Sequence, residues 1–217
     1  MSLQTKHLMA IFLPATALAA VAVFVQVLRY APTSADMAVK QSDQTPNTAG
    51  VTIFTDDPII GKRAAAQTLI AFADIACYRC QADLQIIASL AAQYPKKIKM
   101  IWKGLPVTRL PYPSDSANAY AYCANQQGKF LPFAEAIIQI GSDSLTEEAT
   151  KAAAQAADLS ESNLTACLSS GLAAAYQKRV EALARDLNIQ TTPTVFFNQK
   201  QIDPPTTLEG WQTLLGL

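Results

Sequence analysis

Thr68-Leu69-Ile70-Ala71-Phe72-Ala73-Asp74-Ile75-Ala76-Cys77-Tyr78-Arg79-Cys80 carries two patterns back to back. The first part is apolar, free of charge and of strand length, which suits a central strand buried on both faces. The second part is a Cys-x-x-Cys that opens a helical pattern continuing through Leu84, Ile87, Leu90 and Ala91. Such a pair at a strand-to-helix junction reads as redox-active. The first turn of a helix has unpaired N–H groups and a partial positive charge, so a thiol there gives up its proton more easily. Cys77 is that thiol. Cys80 follows about one turn later, within reach of a mixed disulfide formed on Cys77. Arg79 adds a cation beside the pair, and Tyr78 is expected to be exposed next to the sulfur, where an aromatic ring can pack on a bound peptide.

The remaining composition excludes competing chemistries. A structural zinc site needs two further close-spaced ligands, but His7 is the one histidine, and Cys123 and Cys167 stand far apart. No metal and no cofactor is therefore implied. The same scarcity of histidine removes a Cys/His or Ser/His catalytic pair, and Gln81 after Cys80 removes a haem-attachment motif. A formal net charge of +0 without a long charge run gives no sign of a nucleic-acid partner.

Upstream, Leu8–Leu28 carries no charge and is long enough to cross a hydrocarbon core of roughly 30 Å. Residues 1–29 read as an N-terminal signal anchor. Lys6 precedes the apolar run, which keeps the N-terminus in the cytoplasm and sends the rest of the chain to the extracytoplasmic, periplasmic side. The alternative is secretion after cleavage at the small-residue pattern Ala17-Leu18-Ala19. Residues 30–50 are polar and Pro-containing, without periodicity, and read as a flexible linker. Residues 51–217 then form one domain.

In that domain Val51–Phe54 is the first strand candidate, with turn residues at Asp56-Asp57-Pro58 and Gly61. The first helix is predicted over Cys77–Tyr94, ended by Pro95, and the next strand over Ile98–Trp102. Residues from about 105 to 188 form an Ala-rich helical insertion, broken at Gly141 and Gly171, with Ser144-Leu145-Thr146-Glu147 as a capping box. Strands return at Pro193–Phe197 and Lys200–Ile202 around a turn at Asn198-Gln199. Leu208, Trp211, Leu214 and Leu215 mark one face of a closing helix. This order is that of an α/β thioredoxin-like fold with an inserted helical subdomain.

Three motifs in order sharpen that reading. Asp57-Pro58-Ile59-Ile60-Gly61 with Phe72–Cys80, then Cys123-Ala124-Asn125-Gln126-Gln127-Gly128-Lys129-Phe130, then Thr191-Thr192-Pro193-Thr194-Val195-Phe196-Phe197-Asn198, resemble the DsbA-like thiol:disulfide oxidoreductases. The resemblance implies Cys77 and Cys80 as the catalytic pair, with Thr192 and Pro193 against it in a cis-proline loop that receives an extended substrate. It departs from the family where Tyr78 replaces the usual proline and Thr191 the usual glycine. Asp74 matches a family position, with a turn or cap role open beside a catalytic one. Gln67–Ala73 holds no carboxylate to accept the Cys80 proton. The implied activity is oxidation of thiols in exported proteins, with a membrane redox partner that restores the Cys77–Cys80 bond. A reductase or isomerase, or a redox-inactive binding module, is the alternative. Cys123 and Cys167, on different helices of the insertion, are expected to form a structural disulfide in an oxidising compartment; the other reading is two small buried residues that never meet.

Overall fold

The computed structural model describes residues 50–217. The proposed anchor and nearly all of the linker lie outside the described residues. Among the described residues no helix is long and apolar enough to cross a membrane.

Five strands form one sheet in the order β1 (Ile59–Gly61), β3 (Ile98–Gly104), β2 (Gln67–Ala73), β4 (Thr194–Phe197), β5 (Lys200–Ile202). β2 is central, as its charge-free sequence demands: it runs parallel to β3 and antiparallel to β4. A parallel neighbour needs a crossover, and α1 (Tyr78–Gln93) supplies it. Leu84, Ile87, Leu90 and Ala91 recur at helical spacing and are all buried. Pro95 ends the helix, with Tyr94 as the C-cap. β4 and β5 are joined by Asn198 and Gln199, both left-handed at φ 47° and 69°, the geometry of a two-residue hairpin turn.

The insertion follows β3. Residues 105–114 form a loop, and then come α2 (Asp115–Gln126), α3 (Phe130–Ile140), α4 (Glu147–Ala156), α5 (Glu161–Ser169) and α6 (Leu172–Asp186). Gly141 and Gly171, both at positive φ, separate helices where the sequence placed its breaks. The insertion docks on the sheet through Trp102 and Phe130, whose ring centroids are 5.7 Å apart, and through Tyr176, whose hydroxyl lies 3.2 Å from the Trp102 carbonyl. α7 (Leu208–Leu215) closes the chain.

Three local readings need correction. Val51–Phe54 is not a strand, because side chains take up its backbone: the Val51 N–H donates to Gln199 Oε1 and the Phe54 N–H to Asp57 Oδ2. The first strand is Ile59–Gly61, ending at a glycine with φ +91° where a Cβ would come 2.9 Å from the Ile98 carbonyl oxygen. The cap of α4 is Thr146, which accepts from the Ala149 N–H, while Ser144 lies in a short 3-10 turn. Burial of Leu145 draws the chain inward first, so the helix starts only after it. In α7 the buried stripe is Trp211 and Leu215 alone; Leu208 and Leu214 are exposed.

Asp57 and Lys103 form an ion pair with no solvent exposure, 2.6 Å from Nζ to Oδ2. The Tyr176 hydroxyl donates to the other Asp57 oxygen, and the ammonium lies 3.6 Å from the centre of the Phe54 ring. Burial pushes the Asp57 carboxyl up and the Lys103 ammonium down, and their mutual contact opposes both shifts.

Candidate active site

β2 and β3 end side by side at Ala73 and Gly104, so the turn after β2 opens at the carboxyl end of two parallel strands, where open α/β sheets bind ligands. Asp74 fixes that turn. Its fully buried carboxylate accepts five hydrogen bonds: Oδ1 from the Ala76 N–H and the Asn118 side-chain amide, Oδ2 from the Val107 and Thr108 N–H groups and the Ser114 hydroxyl. One side chain thereby joins the redox turn, the loop 105–114 and α2, and of the two roles open in the sequence it takes the structural one.

Cys77 is the N-cap of α1, and its sulfur accepts from the Cys80 N–H at 3.2 Å. Both thiols are free, Cys77 half-buried and Cys80 buried at 1% exposure. Their proton affinities are driven apart. Hydrogen bonding from the Cys80 thiol brings Cys77 down from 9.0 to about 6; burial opposes this, the Cys80 N–H and the Thr192 hydroxyl assist, and the nearby Asp74 charge opposes. Burial, reinforced by the Cys77 sulfur, pushes Cys80 strongly up. At neutral pH the pair is thus a thiolate at the surface and a thiol beneath it, as nucleophilic attack followed by resolution requires.

The other sequence-predicted residues divide. Thr192 contacts the pair through its hydroxyl, Thr192-Pro193 is cis, and Pro193 lines a small cavity with Cys80. Tyr78 is 82% exposed and borders a groove of about 540 Å³ together with Gln81, Gln85, Ile138 and Ile140. Arg79 is otherwise engaged: its guanidinium donates to Asp83 and to the carbonyls of Pro204 and Pro205, which ties α1 to the segment before α7. Cys123 of α2 and Cys167 of α5 are bonded to each other, with Cα atoms 5.8 Å apart, and stand apart from the pair within the insertion. Sequence reasoning missed Asp83. Its side chain is only 8% exposed and it faces the cavity behind Cys80; an acidic residue one turn after Cys80, inside an apolar helical stripe, was the available signal.

A protein-family model described as Thioredoxin matches residues 54–216. No curated protein matches the chain in sequence. Among solved structures, a periplasmic thioredoxin-like protein from Salmonella enterica serovar Typhimurium is 21% identical with TM-score 0.66, covering 76% of this chain and 91% of that one. The thiol-disulfide exchange protein alpha-DsbA2 from Wolbachia pipientis is 18% identical with TM-score 0.65, covering 75% and 87%. Oxidised BdbD from Bacillus subtilis is 18% identical with TM-score 0.64, covering 77% and 95%. These likenesses are of fold; the family model, which matches three quarters of the chain, carries the conclusion that the chain belongs to the thioredoxin family.

Proposed function

We propose that this protein is an extracytoplasmic dithiol oxidase that introduces disulfides into exported proteins. The observation that carries the reading is the depressed Cys77 thiol at about 6. Only the reduced form has a thiolate to stabilise, so depressing that thiol favours reduction of the Cys77–Cys80 bond and makes the pair a stronger oxidant. A substrate thiolate attacks Cys77 of the oxidised pair and Cys80 leaves. The substrate's second thiolate then attacks the mixed disulfide, releasing an oxidised substrate and the reduced protein. A membrane redox partner takes the two electrons and restores the bond.

Two features support the substrate class and the compartment. The sheet ladder of β4 begins at Thr194, opposite Phe72, and the Thr191 carbonyl is taken by the Thr194 hydroxyl, so it is the Thr192 backbone, outside the ladder, that an extended substrate would pair with beside the sulfur. Leu8–Leu28 behind Lys6 suits an export segment, and a second disulfide at Cys123–Cys167 suits an oxidising compartment. The test is the reduction potential of Cys77–Cys80 in glutathione buffers. An oxidase is expected above roughly −180 mV; a value near roughly −270 mV, where dithiol reductants lie, overturns that assignment in favour of a reductase.

A further inference from the structure

The end of the sheet opposite the redox pair gathers cations. β2 and β3 start there at Gln67 and Ile98, β1 ends there with Gly61 opposite Lys99, and β4 turns into β5 there through Asn198 and Gln199. Lys62 and Arg63 follow β1, Lys96 and Lys97 precede β3, and Lys200 opens β5, all of them exposed. Lys99 braces this end: its ammonium donates to the Ala65 carbonyl, and the Ala66 N–H donates to the Lys96 carbonyl, so the two loops are tied together. Among the described residues none of these cations is in an ion pair. No Asp or Glu occurs in residues 58–73, 84–114, 187–202 or 210–217, so the stretches that build this end hold no acidic side chain. The acids near the sheet lie elsewhere. Asp83 and Asp203 are at the redox end, beside Cys80 and Pro193, while Asp56 and Asp57 are each bonded to a cation, Arg179 and Lys103. The formal net charge is +0, so the chain separates its charges along β2, whose 7 residues span about 20 Å. Surfaces that serve solubility alone intersperse the two signs.

The chain also enters the domain at this end. The Val51 N–H donates to Gln199 Oε1 in the turn beside Lys200. Residues 29–49 separate that point from the apolar run Leu8–Leu28, a stretch of at most about 75 Å when fully extended. We propose that this basic end docks on the anionic phospholipid surface of the membrane from which the chain emerges, and thereby presents Cys77 away from it, toward exported proteins. The inference rests on the reading of Leu8–Leu28 as a membrane segment and of Cys77–Cys80 as an exchange site. The cations are spread from the β1 edge to the β5 edge, about 20 Å over four strand spacings, which suits a plane of phosphate groups better than one small anion. An anionic leaflet attracts each Lys or Arg that comes within a screening length of about 8 Å. Reoxidation at the membrane then requires this end to let go, which exposed charge contacts, individually weak, permit.

The test uses the full chain reconstituted into vesicles of phosphatidylcholine, alone or with about one third phosphatidylglycerol, its outward-facing lysines acetylated by a water-soluble reagent and read by mass spectrometry. Lys62, Lys96, Lys97 and Lys200 are expected to react about fivefold more slowly on the anionic vesicles. Lys178 should react at one rate on both, because its neighbour Gln177 is bonded to Asp115 at the start of α2, toward the redox end. Sodium chloride at roughly 0.5 M should erase the difference, since the screening length falls to a few ångström. Lys96→Gln combined with Lys97→Gln is expected to remove the protection of Lys62 and Lys200, while Cys77 alkylation keeps the parental rate. Equal labelling on the two kinds of vesicle, equal protection of Lys178, or protection that survives the double substitution overturns the inference. Protection on phosphatidylcholine by added glycerol phosphate overturns it too, in favour of a site for free anions. A chain that washes off phosphatidylcholine vesicles in high salt would instead overturn Leu8–Leu28 as a membrane segment.

Discussion

At the scale of single residues, the asymmetry between Cys77 and Cys80 has a direct electrochemical expression. Below pH 6 reduction of the disulfide takes up two protons with two electrons, and above pH 6 only one, because Cys77 then remains a thiolate. The potential is therefore expected to fall by about 59 mV per pH unit below the break and by about 30 mV per unit above it. A break near pH 8.5 would mean that Cys77 is not depressed. The sign for stability follows from the same shift: a thiol lowered from 9.0 to about 6 favours the reduced fold over the unfolded chain in full above 9, and that advantage is lost as pH falls through 6. The two cysteines were legible in the sequence because their spacing alone defines their relation. Asp74 was only half legible, since four of its five donors come from 33 to 44 residues away. Arg79 was half legible as well, since two of its guanidinium's acceptors are carbonyls 125 and 126 residues further on.

At the scale of elements, periodicity and punctuation located most helices and strands, and errors arose where a side chain competes with a backbone partner. Val51–Phe54 has the composition of a strand, yet Gln199 and Asp57 occupy two of its N–H groups. The start of α4 shows the same competition between two hydroxyl-bearing candidates, Ser144 and Thr146, on either side of the buried Leu145. Thr146 accepts from Ala149 N–H at 3.1 Å, so Thr146→Ala is expected to cost about 1 kcal/mol, read as a lower denaturation midpoint at unchanged slope. Ser144→Ala should leave that midpoint in place, and equal losses in the two variants would return the cap to Ser144. Long-range strand order was not legible either, because the placement of β1 beside β3 depends on three residues at the end of a loop.

For the whole molecule, the decisive division is between a sheet that carries chemistry and an insertion braced by its own covalent bond. Cys123 and Cys167 are 44 residues apart, a loop whose closure is worth about 4 kcal/mol in the chain-entropy model, less whatever helix the unfolded insertion retains. Replacing both by alanine is expected to lower unfolding stability by up to that amount while the Cys77 alkylation rate at neutral pH stays that of the parent; a loss below about 1 kcal/mol would make the bond incidental. A second brace has a different consequence. The stretch just after residue 50 belongs to no strand, yet Asp57 within it is bonded to Lys103 on β3 and to Tyr176 on α6. Tension applied to the polypeptide at Gly50 would load the Val51–Gln199 contact first and then this buried charge pair, both before it reached the three-residue edge strand at Ile59. The force would thus meet β3, the strand beside the edge, where yielding means separating two ions in a dry interior, and the outermost strand would be spared from peeling.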